Sequence, residues 1–156
     1  MAHVFHELCR VAADTLPFEH EHLGDIIAID GSMIEATLTM QWADYRGGVN
    51  KAKAHLGFNL NRGIPMKLYL ADGKSDERPY VSNILQPGET GVLDRYYQRY
   101  RSFDDWQREG KHFVCRIREG SRKKIIHENA ITPGGPVFFD AKVFLGAKGI
   151  NQTELP

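Results

Sequence analysis

Apolar and polar positions alternate along this chain with two different periods, and each period predicts an element. Over residues 4–13 (VFHELCRVAA) the apolar positions recur at helical spacing until Pro17 ends the pattern. After Gly24 the run Asp25-Ile26-Ile27-Ala28-Ile29-Asp30 is apolar on both faces, as in a central strand with helices on both sides. Gly31-Ser32 then reads as a turn or bend. Residues 52–60 alternate strictly. Ala52, Ala54, Leu56, Phe58 and Leu60 take one face, while Lys53, His55, Gly57 and Asn59 take the other, which predicts a half-buried strand.

Asn61-Arg62-Gly63 predicts a tight hairpin connection into a strand over 64–70. Ser75-Asp76-Glu77 reads as a cap with acids in the first turn of a helix running to about Leu85. Pro87-Gly88 stops that helix, and residues 90–94 form a short apolar strand ending on Asp94. Ser102 and Asp105 resemble a capping box with the usual Glu shortened to Asp, opening a helix that carries Trp106 and closes at Gly110. A strand over 112–118 follows, then strand-like pieces at 124–127 and 137–145 separated by Thr132-Pro133-Gly134-Gly135-Pro136. The order β-β-β-α-β-α-β, followed by β-rich material, predicts an α/β fold: a mixed sheet with helices on its faces.

Composition narrows the class. With 156 residues, 42% hydrophobic and 10% aromatic, the chain suits one domain with its own core. No apolar stretch approaches the ~20 residues of a membrane helix, and residues 1–24 show no secretory pattern. Cys9 and Cys115 make no disulfide framework and no CxxC, so a reducing, cytoplasmic home is expected.

The zero net charge conceals a gradient. Residues 1–44 hold eight acids and one base, whereas residues 95–124 hold ten bases and four acids, a local +6. Such a segment serves either a polyanion or a solvated basic helix face.

Two aspartates carry the clearest chemistry, because Asp30 and Asp94 each end an apolar strand. Carboxylates placed so face the crevice where open α/β sheets bind ligands, and a neighbouring pair can hold a hard divalent cation. Both could equally be ordinary turn aspartates. Lys53 and His55 share one strand face and could meet phosphate, although a lone histidine there is more often a surface group. Within Asp94-Arg95-Tyr96-Tyr97-Gln98-Arg99-Tyr100-Arg101, arginines for phosphate interleave with tyrosines for stacking, or else the tyrosines pack inward. Arg116 and Arg118 share a strand face and, with Arg122, Lys123 and Lys124, could extend a basic track. His3, His6, His20 and His22 lack metal spacing, and no Gly-rich phosphate loop, GxSxG or Cys–His pair is present.

Three stretches, "IIAIDGSMIEA", "KAKAHLGFNLNRGIPMKLYLADGKSDE" and above all "GVLDRYYQRYRSFDDWQREGKHFVCRIREGS", resemble DDE transposases of the insertion-sequence type, specifically the IS-four-like group. In that family the first acid sits in an "xIDxS" strand and the second at an "xxDRxY" strand end, followed by a capped helix and an "FVxRxR"-like strand. The resemblance spans Asp25 to Ser121. It implies a ribonuclease-H-like core over residues 1–121, with 122–156 beginning a β-rich insertion. It further implies that Asp30 and Asp94 are catalytic and bind Mg²⁺ or Mn²⁺, with transposon-end and target DNA as partners. The implied reaction is DNA strand cleavage and strand transfer. The full-length family member would act as a homodimer, with no membrane involved.

The family's third acid is a glutamate preceded by a Tyr and an Arg at fixed spacing. Glu119, Glu128 and Glu154 follow Asp94 without that arrangement, and only 24 residues precede the first strand. A catalytic-core fragment, shortened at both ends and inactive alone, is therefore the expectation. The residues expected to bind DNA are Lys53, His55, Arg95, Arg116, Arg118 and Lys123. Two other readings stand beside the transposase fragment: a non-catalytic DNA-binding module using the basic 95–124 segment, and another ribonuclease-H-like nuclease.

Overall fold

A computed structural model describes residues 2–36, 40, 42–43, 50–146 and 153–154. Five strands form the main sheet: β1 (Ile26–Glu35), β2 (Lys51–Asn59), β3 (Ile64–Asp72), β4 (Thr90–Leu93) and β5 (His112–Cys115). Their spatial order is β3-β2-β1-β4-β5, with β1, β4 and β5 parallel and the β1-β2-β3 meander antiparallel. The predicted mixed sheet is therefore present.

Helix α1 (Ala2–Thr15) lies along edge strand β3, where His6 Nε2 accepts from the Leu68 amide at 3.5 Å. Covering an edge in this way protects unpaired backbone groups. Helices α2 (Arg78–Ile84) and α3 (Tyr100–Arg108) cover one sheet face. A second antiparallel sheet holds β6 (Lys123–Glu128), β7 (Ala141–Leu145) and β8 (Thr153–Glu154). Strand β6 is exposed on both faces, whereas Leu145 of β7 is buried in the main core.

That core contains Ile27, Ile29 and Leu93 from the sheet, Val81, Ile84 and Leu85 at α2, and Phe103 and Trp106 from α3. It settles a question of faces that alternation alone left the wrong way round. In β2 the side chains turned into this layer are Lys53, His55, Gly57 and Asn59, while Ala54, Leu56 and Phe58 are only half-buried. Gly57 is small for a packing reason, since a methyl group there would overlap Ile84 Cγ2. Asn59 is fully buried yet satisfied. It donates to Asp25 Oδ1 at 2.6 Å and accepts the Asn61 and Arg62 amides at 3.0 Å, which holds the hairpin that Gly63 closes at φ +67°. Asn59→Ala removes three such bonds and strands their partners, so a loss of about 2–3 kcal/mol is expected in urea unfolding. A loss below about 0.5 kcal/mol would show that water replaces them.

Local expectations changed in other places. β1 continues through Gly31-Ser32 because β2 pairs with it as far as Glu35↔Lys51. α3 opens at Tyr100, so Ser102 and Asp105 are interior, and Asp105 pairs with Arg108 instead of capping. Glu77 occupies the N-cap position of α2 without capping it, because its carboxylate is drawn to Lys53. β5 ends at Cys115, three residues before the predicted end, and the predicted strand over 137–145 begins only at Ala141.

Candidate nucleic-acid and metal site

The site follows from strand register. In the parallel β1–β4 pair, Ile26 stands beside Thr90, Ile27 beside Gly91 and Ala28 beside Val92. Carried forward two residues, that register sets Asp94 beside Asp30, with both side chains on the face that Ala28 and Val92 share. Adjacent strands lie about 4.8 Å apart, so the two carboxylates are close neighbours. Both residues are exposed, and that face is the one α2 and α3 leave open: Val114, in register with Val92 on β5, is 62% exposed.

Each aspartate is oriented by a backbone amide. Asp30 Oδ1 accepts from Gly31 N at 2.8 Å. Asp94 Oδ1 accepts from Tyr96 N at 2.6 Å, capping the single 3-10 turn Arg95–Tyr97. Asp94 is therefore a turn residue, which does not exclude a place in the candidate site.

Two in-register, exposed carboxylates suit a hard cation that keeps most of its waters and takes only one or two protein oxygens, as Mg²⁺ does. They do not form a closed cage. Among the described residues, no group of three His, Cys, Asp or Glu has the geometry to hold a metal. Glu119 lies in a turn and Glu128 ends β6, both exposed.

Several basic residues after Asp94 are exposed: Arg95, Arg99, Arg116, Arg122 and Lys123. Arg118 is exposed too, but its guanidinium staples the Asp94 turn by donating to Arg95 O at 3.1 Å and Tyr96 O at 3.3 Å. Gln98 completes the staple, accepting the Arg118 amide at 2.6 Å and donating to Ser121 Oγ at 2.8 Å. Arg116 lies beyond the end of β5, so it and Arg118 belong to a loop and not to one strand face. The interleaved tyrosines divide: Tyr97 is buried in the core, while Tyr96 is 45% exposed with the Arg78 guanidinium 5.6 Å from its ring centre.

Lys53 and His55 do not join this surface. Lys53 Nζ pairs with Glu77 Oε1 at 2.9 Å and donates to Ser75 O at 3.1 Å. His55 is 1% exposed and stacked on Tyr80 at 3.9 Å, with neither ring nitrogen hydrogen-bonded. Burial lowers its pKa, opposed by Glu77 and aided by Lys53. The reading of His55 as a surface group is thus corrected: α2 closes over the face it occupies.

Two groups near the aspartates are missing from the sequence reading. The Tyr97 hydroxyl is buried without a partner, and its pKa is pushed up first by burial, then by Glu77, Asp30 and Asp94. The Cys115 thiol, donating to Asp94 O at 3.3 Å, is pushed up to about 11 by burial and by the Asp94 charge. Only tertiary contact could reveal these, since Tyr97 reads locally as one tyrosine among several and Cys115 as a lone strand cysteine.

A family model described as the transposase DDE domain matches residues 21–145, which takes in both aspartates and the whole five-stranded sheet. The chain belongs to the DDE transposase family. Its function therefore lies in DNA transposition, with DNA as partner, and its sheet is compatible with a ribonuclease-H-like core. Transposase DDE domains generally use divalent metals, which agrees with the chemistry of the Asp30 and Asp94 pair. No curated protein and no solved structure matches this transposase domain. Among its described residues, no helix is long and apolar enough to cross a membrane.

Proposed function

We propose that this transposase domain is the ribonuclease-H-like core of an IS-four-like enzyme, in which Asp30 and Asp94 hold Mg²⁺ or Mn²⁺ for DNA strand cleavage and strand transfer. The observation that supports the reading is the parallel β1–β4 register, which, extended two residues past Ala28 and Val92, sets Asp94, just after β4, beside Asp30 on the open sheet face. A divalent cation bound there supplies charge stabilisation at the phosphoryl oxygens and lowers the pKa of water. The protein's part is to present two oriented carboxylates and to hold the DNA backbone beside them. Arg95, Arg116 and Lys123 are exposed for that, and Arg118 keeps the Asp94 turn in place while retaining donors for phosphate. Residues 1–121 form the core unit and 122–156 begin the β-rich insertion. The cytoplasm is the proposed location, and pairing of two copies is part of the same proposal.

Plasmid nicking tests this reading. Any conversion of supercoiled to open-circular DNA by this chain is expected to require Mg²⁺ or Mn²⁺ and to stop in EDTA. Nicking that persists in EDTA refutes the assignment.

A second reading is favoured by the exposed basic residues of the 95–124 segment, namely DNA binding through that segment without chemistry. It predicts binding that needs no metal and falls steeply with salt. Reversing Arg116 and Lys123 to Glu is expected to lower the log–log salt slope by about one for each phosphate no longer neutralised, measured by fluorescence anisotropy. Binding indifferent to both salt and these changes removes this surface from DNA recognition.

A further inference from the structure

On the covered side of the sheet, behind the two aspartates, lies a polar group that the metal chemistry does not use. The Lys53–Glu77 pair is nearly enclosed, with side chains 11% and 14% exposed. Glu77 does not cap its own helix. Its carboxylate is pressed instead against Gly31, the residue after Asp30: a methyl group on Gly31 would lie 2.7 Å from Glu77 Cδ and 2.8 Å from Oε2. Gly31 is thus bare because Glu77 fills the space its side chain would take.

Tyr97 lies in the 3-10 turn that follows β4. It closes the turn that Asp94 caps, its ring is in the core, and its hydroxyl makes no hydrogen bond of ordinary length and angle. A buried hydroxyl without a partner costs about 1–3 kcal/mol, and a buried ion pair seldom adds net stability. Stability alone does not account for placing both there, beside the two aspartates. Because Lys53 offsets the Glu77 charge, the contribution of this group is one of geometry.

We propose that Glu77 is a positioning residue for the two-aspartate site. Glu77, clamped by Lys53, bears on β1 at Gly31 and so holds the strand that carries Asp30. This inference rests on the reading of Asp30 and Asp94 as metal ligands. Groups that orient ligands from behind change metal affinity by about 10–100-fold when removed.

The test is a Mn²⁺ titration of the whole chain, read by the electron paramagnetic resonance of free Mn²⁺, with thermal unfolding measured in EDTA. Glu77→Gln is expected to weaken Mn²⁺ binding about tenfold. Tyr97→Phe, which removes only the orphan hydroxyl, is expected to leave binding unchanged and the metal-free midpoint level or higher. A merely structural role would move stability and leave affinity alone. Unchanged affinity in Glu77→Gln, with binding lost in Asp30→Asn, overturns the positioning role and spares the metal site. Binding that survives Asp30→Asn overturns the metal site itself, and the positioning role with it.

Discussion

Asp30→Asn is expected to abolish metal-dependent nicking while leaving the fold as it is. The side chain is exposed and makes one local bond, to the Gly31 amide, which an asparagine oxygen can still accept. What the substitution removes is the charge. A cation that keeps most of its waters depends on very few protein oxygens, so a site of two carboxylates has no spare ligand. A cation contributes several kcal/mol of transition-state stabilisation, and each 1.36 kcal/mol is a factor of ten, so the loss should reach about a thousandfold. Asp94→Asn should cost as much in nicking, although it also alters the cap on the Arg95–Tyr97 turn. Equal rates for wild type and Asp30→Asn, at matched thermal stability, would remove this aspartate from the chemistry.

Trp106→Ala is the substitution expected to cost the fold most. The indole is 1% exposed, stands edge-on to Phe113 at 5.5 Å, and donates through Nε1 to Ser82 Oγ at 3.1 Å. It joins α3 to the β5 side of the sheet and to α2 at once. Truncating a buried tryptophan costs about 3–5 kcal/mol, a large part of the 5–15 kcal/mol typical of a domain. Equilibrium urea unfolding should show the midpoint falling with little change in slope. A shift of less than about 1 kcal/mol would mean that this layer relaxes to fill the cavity.

Much of the architecture was legible along the chain because it is local. The helix over 4–13, the turn at Asn61-Arg62-Gly63, the strand ending at Asp94 and the stop at Gly110 depend on spacing, a fixed proline or a glycine at positive φ. Element ends were less legible. β1 outlasts Gly31-Ser32 because its partner strand supplies hydrogen bonds there, and α3 begins before its cap-like Ser102 because the turn from Asp94 delivers the chain at Tyr100.

The candidate site divides in the same way. Asp30 and Asp94 stand out by themselves, since an acid after an apolar run is a sequence feature. Their meeting is not, because nothing in the residues between them states that β4 returns beside β1 in parallel. The basic segment was visible as charge, but which of its residues face solvent was not. Arg118 is spent partly on backbone carbonyls and Tyr97 on the core.

β2 marks the boundary most clearly. Alternation by itself determined that Lys53, His55, Gly57 and Asn59 share a face, because side chains in a strand must alternate. Which face is buried was decided by the tertiary structure. α2 packs where Gly57 lets it approach, Glu77 arrives to pair with Lys53, and Asp25 to pair with Asn59. A polar face can be the inner one when its partners come from distant segments, since burial penalises only those polar groups that find no partner.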